Sequence, residues 1–97
     1  LRTAKVISAE NVKKSKKLIK LQVEIAGENR QIVAGIAEHY KPEDIIGKKI
    51  VVVSNLEPAK LMGEESRGML LAANSPDGKL SVITISDDSI PTGSEVR

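Results

Sequence analysis

The sequence predicts an all-β chain with short helices, a five-stranded Greek-key barrel with extra strand at its C-terminal end. Three observations carry that expectation. Residues 19–25 alternate, Ile19, Leu21, Val23 and Ile25 against Lys20, Gln22 and Glu24, the period of a strand with one buried and one wet face. Turn-forming stretches, Gly27-Glu28-Asn29 and Ser75-Pro76-Asp77-Gly78, separate short apolar runs. The segments follow as three strands, a short helical connection, then further strands.

Each element has its own justification. Residues 1–10 carry small and β-branched side chains and form the first strand; residues 11–17 are polar and basic, a loop. After the strand at 19–25, the turn at 27–29 leads into a third strand over 30–36, making a hairpin. Residues 37–40 suit a helical turn. Residues 41–47 suit a second short helix, with Pro42 near its start, Glu43 and Asp44 in the first turn and Gly47 ending it. The fourth strand spans 48–53, and its unbroken Ile50-Val51-Val52-Val53 run points to burial on both faces. Residues 55–68, with one proline and two glycines, read as an irregular loop. A fifth strand follows at 69–73 and a sixth at 80–85, and Ile90-Pro91 and Gly93 anchor a tail along the surface. The whole, residues 1–97, is expected to be one domain of the OB type. That fold binds oligonucleotides through a strand face and through its first–second and fourth–fifth strand loops.

On charge alone a solvated surface loop is the simpler reading, with a polyanionic partner as the alternative. Residues 1–49 hold 11 Lys/Arg against 6 Asp/Glu, whereas residues 50–97 hold 4 against 7. Lys13, Lys14, Lys16, Lys17 and Lys20 supply most of the excess, in or beside the first–second strand loop. Tyr40 is the only aromatic residue, so a base-stacking platform is not expected and backbone charge, shape and a few polar contacts must do the recognising.

Other classes drop out. With no cysteine there is no disulfide or thiolate metal site, and a cytosolic protein is the natural reading. His39 lacks metal-ligating companions. No nucleophile–base pair, phosphate-cradling glycine loop before a helix, or carboxylate pair in a shared context suggests catalysis or a cofactor, and no apolar run is long enough for a membrane span. Glu64-Glu65 reads as a solvated pair.

The residue strings add a resemblance. Val51-Val52-Val53-Ser54-Asn55-Leu56, then Pro58-Ala59-Lys60-Leu61-Met62-Gly63, then Ser66-Arg67-Gly68-Met69-Leu70-Leu71-Ala72-Ala73 resemble the tRNA-binding domain family. Arg30-Gln31-Ile32-Val33-Ala34-Gly35-Ile36 and Tyr40-Lys41-Pro42-Glu43 match as well, so the likeness covers almost the whole chain. That family includes the C-terminal appendage of methionyl-tRNA synthetases, free-standing structure-specific tRNA-binding proteins and endothelial-monocyte-activating-polypeptide-like domains. The resemblance implies an OB fold that pairs as a homodimer, binds the outside of the tRNA L shape with little sequence preference and has no catalytic activity of its own. It also implies that the chain is cut from a larger synthetase, whose catalytic body would then be a partner, or stands alone.

The same resemblance implies a site. Ser66 and Met69 fall in the family's Ser-x-Gly-Met motif, a hydroxyl for phosphate or ribose and a flexible apolar contact; the apolar strand that Met69 begins equally suits a core position. Lys60 is fixed by the Asn-Leu-x-Pro-x-Lys string, with Lys17 and Arg30 as neighbours on the tRNA-binding face. Lys13, Lys14, Lys16 and Lys20 complete the cationic set. Many members have His-Pro-x-Ala-Asp-Lys-Leu where this chain reads Val12-Lys13-Lys14-Ser15-Lys16-Lys17-Leu18, so basic charge replaces a structured turn. Gly63 and Gly68 are expected to shape the backbone. A rival reading of the same surfaces is a dimerisation and scaffolding module with marginal RNA binding, using tail residues such as Ile90 and Val96.

Overall fold

In the computed structural model, which describes residues 1–97, the elements run β1 (Arg2–Asn11), β2 (Ile19–Ile25), β3 (Glu28–Ala34), α1 (Pro42–Ile45), β4 (Lys49–Val53), β5 (Ala59–Leu61), β6 (Glu64–Ser66), β7 (Met69–Leu70), β8 (Ala72–Asn74) and β9 (Leu80–Val82). Five of them form one antiparallel sheet in the order β3-β2-β1-β4-β7. β1 is the pivot. Its first residues pair with β4, Arg2 through Lys5, and the rest pair with β2, Lys5 through Asn11. The register shifts between Val6 and Ser8, a bulge that bends the strand and lets the sheet curl. Closure comes at Ser66–Gly68, where the Arg67 amide donates to the Gln31 carbonyl at 2.8 Å and so joins the far end of the sheet back to β3. This curled, nearly all-β sheet is the OB-like architecture expected.

The curl encloses the core. Ile19, Leu21 and Val23 of β2 are fully buried, facing Ile32 of β3, Ile50 and Val52 of β4, Leu70 of β7 and Val82 of β9 in one cluster, with Ile45 of α1 among them. Each such side chain stabilises the fold by about 1.5–3 kcal/mol. Val51 is also buried but stands outside that cluster, so β4 is covered on both faces as its aliphatic run indicated.

Several expected boundaries move. The β2–β3 turn is Ala26-Gly27, not 27–29: Ile25 pairs with Glu28, and φ values of 51° and 85° make a two-residue turn with both residues left-handed. Alanine is costly there, and two bonds hold it, from the Ala26 amide to the Thr92 hydroxyl at 3.2 Å and from the Gly27 amide to Glu24 Oε2 at 2.6 Å. β3 stops at Ala34. The helix shortens to Pro42–Ile45, capped where Asp44 Oδ2 accepts from the Lys41 amide at 3.2 Å. The fifth strand breaks at Leu71, whose amide turns to the Val51 carbonyl at 3.0 Å, and β8 then pairs with β9 in a separate ribbon. The largest difference is at 55–68, where the irregular loop contains a second hairpin, β5–β6.

The tail does lie along the surface. Thr3 bonds to it through its amide (Ser94 carbonyl, 2.9 Å), its carbonyl (Gly93 amide, 2.8 Å) and its hydroxyl (Pro91 carbonyl, 2.9 Å). No helix is long and apolar enough to cross a membrane.

Candidate nucleic-acid interface

β5 and β6 form an arm of two three-residue strands, paired Ala59 to Ser66, Lys60 to Glu65 and Leu61 to Glu64. Its turn is Met62-Gly63, with φ values of 52° and 82°, the same left-handed pair found in the β2–β3 turn. An isolated hairpin of this size is marginal in water, so what holds the arm must come from outside it.

The β2–β3 hairpin supplies the tethers. The Ser66 hydroxyl accepts from the Val33 amide at 3.0 Å and donates to the Gly68 carbonyl at 2.9 Å. Gln31 Nε2 donates to the Glu65 carbonyl at 2.8 Å, while Gln31 Oε1 accepts from Gln22 Nε2 at 2.9 Å. Lys20 Nζ lies 3.3 Å from Glu64 and 2.9 Å from Glu10, linking the arm to β1. Those carboxylates, Glu10 first and then Glu64, push the Lys20 ammonium above its usual range, and Lys20 in turn holds Glu10 below its own. Gly68 finishes the anchor. A side chain there would put Cβ 2.9 Å from the Val53 carbonyl, at a φ of 141° that disfavours any residue but glycine.

Between the arm and the first–second strand loop lies an open groove of about 520 Å³. Glu10 to Lys14 form one bank, Met62 to Glu64 the other, and Lys20 the floor.

The nine residues expected at the site divide by environment. Lys13, Lys14, Lys16 and Lys17 on the loop and Lys60 on the arm are exposed and form no ion pair with any acid of the chain. Met69 is exposed as well, at 39%, and Met62 and Leu56 add apolar surface at 53% and 50%. Lys20 and Arg30 are already engaged: Arg30 Nε lies 3.0 Å from Glu28 and its Nη1 donates to the Ser54 carbonyl. Ser66, expected as a contact, is only 3% exposed, with its hydroxyl taken up by two backbone groups. Glu64, read as solvated, is instead half-buried against Lys20. Sequence reasoning passed over Gln22 and Gln31. Their signal was faint: Gln22 is a polar member of the alternating β2 strand, and only the register shows Gln31 of β3 opposite it.

Comparisons with known proteins identify the family. The model of the family described as "Putative tRNA binding domain" matches residues 1–95. The methionine–tRNA ligase of Clostridium acetobutylicum is 60% identical over 98 aligned residues, which take in 100% of this chain and 15% of that protein. That of Thermotoga maritima is 58% identical over 96 residues, 99% of this chain and 15% of that protein. This chain therefore spans about 15% of the length of the ligases it matches. The crystal structure of a MetRS-related protein from Pyrococcus horikoshii superposes with a TM-score of 0.94 at 44% identity, covering 99% of this chain and 87% of that one.

Proposed function

This chain belongs to the tRNA-binding domain family, and from that premise we propose that it is a non-catalytic appendage of a methionyl-tRNA synthetase that grips tRNA by charge and shape. The observation that carries this reading is the division of the cations. Five lysines, Lys13, Lys14, Lys16, Lys17 and Lys60, stand exposed and unpaired on the loop and the arm that flank one groove. Lysines without carboxylate partners can neutralise phosphates and release counterions, which gives sequence-tolerant, salt-sensitive affinity. Stacking adds little, because Tyr40 is half-buried and its hydroxyl accepts from the Val82 amide at 2.9 Å.

A grip of this kind raises the effective concentration of tRNA beside a catalytic body fused to the same chain. Two copies would double it. Pairing into a homodimer is supported by apolar residues left in water on the barrel, Leu1 at 46%, Ile7 at 52% and Ile46 at 45% exposure. Light scattering should give twice the chain mass; a monomer at all concentrations would remove the dimer from this reading.

Competition tests the main claim. Unlabelled tRNA should displace labelled tRNA at far lower concentration than single-stranded RNA of equal length, because the folded shape is recognised along with the charge. Equal displacement would leave charge alone and contradict shape-based binding.

A further inference from the structure

We propose that Ser66 and Gln31 act in tRNA binding as positioning residues. They clamp the β5–β6 arm to β3 so that Lys60 meets the RNA, and they do not touch the RNA themselves. The proposal rests on the reading of the groove as a tRNA interface and assigns a division of labour within it.

The geometry of Ser66 excludes it from direct contact. At 3% exposure it has no surface to offer a phosphate, and its hydroxyl already donates to the Gly68 carbonyl and accepts from the Val33 amide. Val33 belongs to β3, so this one hydroxyl bonds the end of the arm to the sheet. Gln31 makes the next link outward, from its side-chain amide to the Glu65 carbonyl at 2.8 Å. Glu65 is the cross-strand partner of Lys60. Gln22, opposite Gln31 on β2, donates to Gln31 Oε1 and fixes which way the amide points. The chain of contacts therefore runs Gln22, Gln31, Glu65, Lys60, from the rigid hairpin to an unpaired cation.

The arm needs this. Three residue pairs and a two-residue turn hold little stability alone, and the arm contributes no member of the core cluster. Without the clamp, Lys60 would search many positions, and the entropy of fixing it would be charged to binding.

A double-mutant cycle separates this role from its rivals. In the wild-type chain Lys60→Ala should lower tRNA affinity roughly five- to tenfold at 0.1 M salt, the loss of about one phosphate contact. In the Gln31→Ala background the same Lys60→Ala change should cost less than about twofold, because the cation is no longer held in place. Lys14→Ala, on the opposite bank, serves as the control and should cost the same in both backgrounds. General destabilisation lowers the active fraction and scales every affinity alike, leaving the Lys60 decrement intact. An RNA contact by Gln31 likewise leaves the two losses multiplicative. Either of those results overturns the proposal. Ser66→Ala should repeat the Gln31→Ala pattern, provided its circular dichroism shows a folded chain; Gln31 is partly exposed and stands as the variant that keeps the fold. Absence of tRNA binding by the wild-type chain would instead overturn the functional reading itself.

Discussion

The β2–β3 and β5–β6 hairpins share a turn and almost nothing else. Both close on two left-handed residues, the second a glycine: Ala26-Gly27 in one, Met62-Gly63 in the other. The first joins two seven-residue strands whose inward residues are core, while the second joins two three-residue strands with no member in the core cluster. One hairpin is therefore stabilised by burial. The other is held by bonds to the first hairpin, to Val33, Gln31 and Lys20, and can put Lys60 in water. On the proposed reading, stability and binding fall to separate hairpins, and rigid strands position the exposed one.

The widest separation between them should come from truncating the core. Leu21→Ala, at a fully buried site of β2, is expected to cost about 2–5 kcal/mol in urea unfolding. Lys60→Ala on the arm should stay within about 0.5 kcal/mol of wild type while weakening tRNA binding.

A smaller effect sharpens the contrast, because the turns are alike. Alanine at Gly27 (φ 85°) or at Gly63 (φ 82°) meets the same left-handed strain, about 1–2 kcal/mol. Gly27→Ala should lower the midpoint of global unfolding. Gly63→Ala should leave that midpoint nearly unchanged and instead speed hydrogen exchange at the arm amides. Equal global losses would show that the arm unfolds with the barrel.

The smallest effect is one of pH, and it belongs to the first hairpin. The Gly27 amide, and after it the Thr92 hydroxyl, hold the Glu24 carboxyl below the usual glutamate range. A folded-state value below the unfolded one means a contribution fully present above the ordinary glutamate pKa and lost as pH falls through the lower folded value. Thermal unfolding followed down through that window should show Glu24→Gln losing less stability than wild type.

How much of this was legible in the sequence follows the same division. The β2 strand was readable because burial imposes a period of two on Ile19, Leu21, Val23 and Ile25. The arm was not, because Ala59-Lys60-Leu61 and Glu64-Glu65-Ser66 contribute no side chain to the apolar core and so carry no hydrophobic period to detect. Its turn also lacks the asparagine or aspartate that signals such hairpins. The exposed lysines at 13, 14, 16, 17 and 60 could be named from the chain as cations, but not that Lys20 lies between Glu10 and Glu64, residues 10 and 44 positions away. Ser66 illustrates the limit most plainly. A motif marks it as important, and only the fold reveals that its hydroxyl faces inward to the Val33 amide.

The central claim, that unpaired lysines on the loop and the arm neutralise tRNA phosphates together, is tested most directly by the salt dependence of binding. Filter binding of tRNA across a series of salt concentrations should give a steep log–log slope for the wild-type chain. For the Lys17→Ala, Lys60→Ala double variant the slope should be shallower by about one to two units, with weaker affinity at every salt concentration. An unchanged slope and unchanged affinity would contradict the account and remove both lysines from the interface.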